Sequence, residues 1–229
     1  MKGPASLLYG SNAIGGVVNA ITGHDSAHKG ANGYLTALGS SNSNQAGGSA
    51  GLELGTDRLL FWANGGGQRS GDYDTPIGRV PNSFSREANF ASGVGYYRDH
   101  YFLSFNYNLN KRRYGIPFDP DAVDPEIVNL NPRRHSFEAR GGFRESRSFV
   151  ESGTFSLQYI DYAHSEIDSL TNEIGTSFKN NTTLFQAMFD QKKVGKLSGR
   201  FGSWFSHRDF AAVGEEALAP PTTHTASAL

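Results

Sequence analysis

Residues 101–110 alternate between large apolar and polar side chains, and this pattern limits the folds open to the chain. The odd positions carry large apolar side chains: Tyr101, Leu103, Phe105, Tyr107 and Leu109. The even positions from Ser104 onward are all Ser or Asn. Successive side chains of a β-strand point to opposite faces, so the run predicts a strand with one apolar face and one polar face.

The same period recurs along most of the chain and predicts ten strands. The predicted strands are 31–40, 45–56, 58–69, 85–97, 100–110, 134–145, 150–164, 176–190, 196–208 and 222–229. Four connections are predicted as tight turns: Thr56-Asp57-Arg58, Arg98-Asp99-His100, Ser146-Arg147-Ser148 and Lys192-Lys193-Val194-Gly195. Four are predicted as long loops: 70–84, 111–133, 165–175 and 209–221. Apart from the brief loop at 41–44, long and short connections alternate, which is typical of a transmembrane β-barrel.

Composition agrees with a wall that separates two environments. Glycine contributes 28 of 229 residues, aromatics 12% and charged residues 19%. The formal net charge of −1 excludes a global basic field for nucleic acid, and the absence of cysteine excludes disulfides and thiolate metal sites. No stretch approaches the roughly 20 apolar residues of a membrane helix. The charged side chains Glu138, Arg140 and Arg144 are predicted to face a water-filled lumen, because unpaired charges in a soluble core would be costly.

Residues 3–22 form an ordered run of backbone signals, GPASLLYGSNAIGGVVNAIT. Pro4 suits the first turn of a short helix and Gly10 suits the left-handed position that ends one. Gly15-Gly16 permits a tight reversal, and residues 17–21 are typical of a short buried strand. The run strongly resembles the end of the plug domain of TonB-dependent outer-membrane receptors.

In that family the plug precedes a barrel of 22 strands. The resemblance implies an all-β fold: a partial transmembrane antiparallel β-barrel of about ten strands, preceded by the C-terminal end of a plug domain. Residues 1–28 would be that plug end and its link, and residues 29–229 the N-terminal part of an incomplete barrel. Since Met1-Lys2 runs into the motif without an apolar leader, we expect the chain to be an internal piece of a longer protein.

The function implied by the resemblance is energised import across the outer membrane. A scarce ligand, such as a metal, siderophore or other chelate, would be captured from outside, and a TonB-type energy-transducing protein would act on the plug. Outer-membrane lipid and lipopolysaccharide would surround the barrel. No cofactor, nucleic acid or catalytic activity is expected, because the chain has no nucleophile elbow and no phosphate loop. The alternatives are a passive porin-like or adhesin-like barrel, a hydrolase built on a barrel, or a soluble β-sandwich or solenoid.

Candidate metal ligands lie at the ends of the later strands. His164, Glu166 and Asp168 share one phase of the seventh predicted strand, opposite to Phe155, Leu157 and Tyr159. Imidazole and carboxylate groups suit Zn²⁺ or a similar ion, and Asp209 could complete a site from the following loop. The stretches 159–167, 178–181 and 208–222 also resemble the zinc-uptake branch of these receptors. The alternative is that these side chains are simply solvated.

Three other groups have weaker functional readings. His24 and His28 have ligand spacing for a helix, but the link that holds them is expected on the periplasmic side. Tyr96, Tyr97, Tyr101 and Trp204 suit aromatic girdles at the membrane interfaces. The run Lys111-Arg112-Arg113 could bind anionic lipopolysaccharide or an anionic chelate, or serve as an ordinary loop base.

Overall fold

A computed structural model describes residues 24, 26–145, 149–214, 217 and 219–228. The plug-like run 3–22 and the predicted turn Ser146-Arg147-Ser148 lie outside the described residues. Within the described part the chain is all-β, as predicted, and contains no helix. It accordingly has no helix long and apolar enough to cross a membrane in those same residues.

One large antiparallel sheet contains almost all of the structure. Its strands are β1 (Gly30–Ser40), β2 (Gln45–Gly55), β3 (Leu59–Ser70), β6 (Ser85–Tyr97), β7 (Tyr101–Gly115), β8 (Val128–Leu130), β9 (Arg133–Phe143), β10 (Val150–Asp168), β11 (Ile174–Gln191), β12 (Arg200–Gly214) and β13 (Thr222–Ala228). The short strands β4 (Asp74–Thr75) and β5 (Gly78–Arg79) form a separate hairpin in the loop between β3 and β6. In the described sheet β1 and β13 are the two outer strands, and sequential strands are neighbours.

Strands β8 and β9 occupy one position of the sheet, between β7 and β10. Leu130 of β8 is opposite Tyr114 of β7 and Glu166 of β10, in the same register that β9 keeps with both neighbours. The interruption falls at Pro132, which has no N–H to donate to a ladder. Its carbonyl still accepts from the Arg112 N–H at 2.9 Å. The 11 strands of the sheet therefore fill ten positions, the number predicted from the sequence.

The strands are longer than predicted at the ends that carry the long loops. β7 continues to Gly115, β10 to Asp168 and β12 to Gly214, so the link between β10 and β11 shrinks to 169–173. The ladder continues there because polar side chains pair across it, as the Ser165 and Ser177 hydroxyls do at 3.3 Å. At the opposite end the prediction that β12 starts at 196 is wrong. A small bridge between Val194 and Leu197 occupies that segment instead.

One face of the sheet is lined by exposed apolar side chains, and we call it the apolar face. Its large members include Leu35, Leu52, Leu54, Phe61, Phe90, Leu103, Phe105, Phe137, Phe155, Leu157, Phe185 and Phe205. Leu35 is 84% exposed and Phe105 is 53% exposed. Globular proteins rarely expose so much contiguous apolar surface, which marks this face as a contact surface.

The other face, which we call the polar face, carries the alternate residues of the same strands. On β7 these include Ser104 and Asn106, and on β9 they include Ser136 and Glu138. Ser104 and Ser136 are buried, and Asn106 donates to the Glu138 carboxylate at 3.5 Å. Glu138 and Arg140 lie on this face as predicted. Arg144 follows β9, where its Nε donates to the Asp99 carbonyl at 2.7 Å.

The aromatic residues assigned to a girdle divide between the two faces. Tyr96 and Tyr101 lie together on the apolar face near the short turns, with ring centroids 6.2 Å apart. Tyr97 and Trp204 lie on the polar face, contrary to that assignment, because each sits one residue out of phase with the apolar positions of its strand. Tyr97 is only 5% exposed, and its hydroxyl donates to the His24 carbonyl at 3.1 Å.

Gly93 of β6 is required by the packing of Trp62 on the polar face. A Cβ at position 93 would overlap the indole ring of Trp62 and lie 2.6 Å from the Phe105 carbonyl oxygen. The carbonyl belongs to the ladder and cannot move aside, so glycine allows close approach here. Gly65 of β3 is different: a Cβ there would meet the Asn89 carbonyl at 3.4 Å and Phe90 at 3.6 Å, which is ordinary contact.

We expect Gly93→Ala to destabilise the sheet by about 1–3 kcal/mol through overpacking. Gly65→Ala is the matched control and should be neutral or slightly stabilising, because alanine restricts the unfolded chain. The measurement is urea unfolding in lipid vesicles, followed by Trp62 fluorescence in a Trp204→Phe background. Equal stability of the two variants would contradict the packing argument.

Candidate functional site

The polar face contains an amide-rich depression across β3, β6, β7 and β9. Its volume is about 240 Å³. Its polar lining consists of Asn64, Asn89, Asn108, Asn110, Arg134 and Ser136. The register assembles this lining, because Asn89 is directly opposite Asn110 and Asn108 is directly opposite Ser136. Four strands that are distant in the sequence thus contribute to one surface.

The depression is held by a carboxylate on one side and retains hydrogen-bonding capacity on the other. Glu87 accepts from Asn110 Nδ2 at 2.9 Å and from Gln68 Nε2 at 3.4 Å. Among the described residues, the side-chain amides of Asn64, Asn89 and Asn108 have no side-chain hydrogen bond. Each amide offers two donors and an acceptor, so together they suit a polar ligand with hydroxyl or amide groups. The sequence signal for this site was the polar phase of β7, which the analysis assigned only to a wet wall.

The structure places His164 on the polar face of β10, as its phase predicts. Its ring stacks on Phe178, directly opposite on β11, with centroids 4.4 Å apart and planes 13° apart. The Nδ1 atom is buried without a hydrogen-bond partner in the described structure. The imidazole therefore packs as an aromatic ring against its neighbour.

Asp168 closes the turn between β10 and β11. Its carboxylate accepts from the backbone N–H groups of Leu170 at 2.7 Å and Thr171 at 2.8 Å. These backbone hydrogen bonds, Thr171 first, lower the pKa of Asp168 from its ordinary value. The local arrangement is an Asx-type turn, in which the side chain replaces a backbone acceptor.

Asp209 lies on the other side of the sheet from His164. It shares its phase with Phe201 and Phe205 of β12, on the apolar face, and its Oδ1 accepts from the Thr223 hydroxyl at 2.9 Å. The Nε2 atom of His207, on the same face as expected, lies 3.4 Å from Asp209 Oδ2. A sheet separates this pair from the β10 residues.

The four candidate metal ligands are therefore not brought together. His164, Glu166 and Asp168 follow one another at alternate positions of an extended strand, so each step separates them by about 6.6 Å. That spacing is too long for one ion to bind all three through short side chains. In the part of the chain that the structure describes, no group of three or more His, Cys, Asp or Glu side chains could hold a metal ion.

His24 and His28 meet at one carboxylate on the polar face. His28 Nε2 lies 3.0 Å from Glu53 Oε2, and His24 Nε2 lies 3.3 Å from Glu53 Oε1. The His24 ring also contacts Trp62, with centroids 4.9 Å apart. The helical ligand spacing noted in the sequence is thus used to hold the link against β2, near the short turn at 56–58. Glu53 was missed because its partners are 25 or more residues away.

No family model matches the chain.

We expect Asp168 to titrate with a pKa below about 3.9, the ordinary value for aspartate. Because its folded pKa is lowered, the stabilisation of the 169–173 turn is complete above pH ~3.9 and is lost as pH falls through the folded pKa. The measurement is a ¹³C NMR titration of the carboxyl carbon, with amide protection of Leu170 and Thr171 recorded in parallel. Asp168→Asn should keep the turn but abolish its pH dependence. An Asp168 pKa at or above the ordinary value would contradict the capping role.

Proposed function

We propose that the chain is part of a TonB-dependent outer-membrane receptor that imports a scarce nutrient with energy from the inner membrane. The observation that carries the proposal is the two-faced sheet, whose apolar side chains remain exposed along strands β1 to β12. From Tyr101 to Leu109 the apolar phase of β7 rises roughly 20 Å when tilted by about 45°, close to the ~25 Å apolar band of an outer-membrane barrel. A water-soluble sheet would cover such a face.

The proposal extends to closure of a transmembrane barrel. Open sheet edges do not occur in the hydrocarbon of a bilayer, because their N–H and C=O groups would lose their hydrogen bonds. The outer edges of β1 and β13 would therefore be paired by further strands in the assembled protein. The polar face would line the lumen, and the amide-rich depression would offer a passing ligand polar contacts.

The position of the link supports a plug inside the lumen. His24 and His28 hold the segment before β1 against the polar face through Glu53, and Lys29 pairs with Asp57 at 2.8 Å at the short-turn end. A preceding domain would thus be delivered to the lumen side of the wall. This arrangement agrees with the resemblance of residues 3–22 to the end of a plug, and a TonB-type partner would act on that plug.

The membrane assignment predicts opposite effects for one charge at neighbouring positions of β7. Phe105→Lys puts an ammonium group in the hydrocarbon and should cost about 2–4 kcal/mol near the midplane. Asn106→Lys places the same charge on the polar face and should be tolerated. The measurement is the fraction of folded, heat-modifiable protein in the outer membrane of expressing cells. Equal loss of both variants, or of neither, would contradict the assignment of the faces.

The transport assignment predicts uptake that depends on the energy-transducing partner. Cells expressing the gene with its natural flanking coding sequence are given radioactive zinc or a radioactive ferric chelate, with the partner gene intact or deleted. We expect accumulation of at least one probe to require the partner. The purified protein should give no steady conductance in planar bilayers, because a plug blocks the lumen. Constant open-channel conductance with partner-independent uptake would instead indicate a passive porin-like barrel.

A further inference from the structure

Six basic side chains lie at one level of the apolar face, near the ends of the strands that carry the long loops. We call this set the basic belt; it comprises Arg69, Arg86, Lys111, Arg113, Arg133 and Lys179. All six are exposed. They come from β3, β6, β7, β9 and β11, so the belt exists only in the assembled sheet.

The register places three arginines side by side. Arg69 is directly opposite Arg86, and Arg86 is directly opposite Arg113. Residues directly opposite each other on one face have Cβ atoms about 4.5–5.5 Å apart, and like charges in such pairs destabilise the sheet. Arginine stays charged at all physiological pH values, so the repulsion cannot be relieved by loss of a proton.

The protein supplies almost no counter-charge on this face. Among the described residues, strands β3, β6, β7, β9 and β11 carry no acidic side chain in the phase of the belt. On β10, Asp161 lies 3.9 Å from Arg133. Glu87 is next to Arg86 in sequence but lies on the polar face, where it holds Gln68 and Asn110. In the described structure the guanidinium groups of the three adjacent arginines have no ion pair or side-chain hydrogen bond.

The belt borders the apolar part of the face directly. The next residue in phase after Lys111 is Leu109, and Phe90 is two positions in phase beyond Arg86. Phe137 has the same relation to Arg133. Arg112, between two belt residues in sequence, points to the polar face, where its Nε donates to the Ser85 hydroxyl at 3.3 Å. The order along each strand is thus apolar residues, then basic residues, then loop.

We propose that the basic belt binds the phosphate groups of lipid headgroups in the leaflet that surrounds the long-loop ends of the strands. The inference rests on the proposed membrane function, since it takes the apolar face to contact lipid. A guanidinium group binds phosphate through two parallel hydrogen bonds, and adjacent arginines can share one polyanionic headgroup. Bound phosphate would also remove the repulsion within the arginine row. A soluble phosphate compound fits less well, because the belt adjoins surface that would lie in hydrocarbon.

The test compares a belt variant with a control that loses the same charge elsewhere. The belt variant is Arg69→Gln/Arg86→Gln/Arg113→Gln, and the control is Arg58→Gln/Arg112→Gln/Arg208→Gln, whose side chains lie in a short turn or on the polar face. The full receptor is reconstituted in phosphatidylcholine vesicles with or without a bisphosphorylated glucosamine lipid. Retention of that lipid on the repurified protein is measured as a function of salt concentration.

We expect the native protein and the control to retain the phosphorylated lipid, and the belt variant to bind it at least about tenfold more weakly. Salt should weaken the binding to the native protein. In phosphatidylcholine alone the belt variant should be as stable as the native protein or more stable, because like charges have been removed. Equal retention by the belt variant and the control, or equal competition by inorganic phosphate, would overturn the proposal. Insertion into phosphatidylcholine separates the two hypotheses: failure to insert contradicts the membrane function, whereas insertion without selective retention contradicts only the belt.

Discussion

The structure depends on the cross-strand hydrogen-bond register, which runs from β1 to β13 with irregularities only at the two ends of the β10–β11 pair. A shift of one residue would move every side chain of a strand to the opposite face. Because the register holds across β1 to β7 and on through β9, each strand adds its apolar residues to one surface and its polar residues to the other. The exposed apolar face, the amide-rich depression and the basic belt all follow from that single constraint.

The two ends of the strands serve different purposes. At the short turns the link is fixed to the polar face by His24, His28 and Glu53, and aromatic side chains such as Tyr96 and Tyr101 border the apolar face. At the opposite end the strands extend beyond the apolar residues and carry the basic belt. An asymmetric sheet of this kind has a defined orientation in a bilayer, because each border has its own chemistry.

The strands were predictable because their signal is local, whereas the candidate metal site was not. Alternation along Tyr101 to Asn110 needs no knowledge of neighbouring strands, so all ten positions of the sheet were found. The grouping of His164, Glu166 and Asp168 used phase alone and ignored the length of an extended backbone. Asp209 was added from proximity in sequence, although its phase puts it on the other face. Strand ends were misjudged because their pairing depends on partner strands.

The sequence by itself determined the all-β fold, the two-faced strands and the side on which each residue of a strand lies, since these follow from a period of two. The tertiary structure alone decided which residues meet. Glu53 meets two histidines, Pro132 interrupts a strand without changing its register, and Asn89 faces Asn110. The arginine row of β3, β6 and β7 also arises only there. Pairing between strands is set by the ladder, and no spacing within a single strand encodes it.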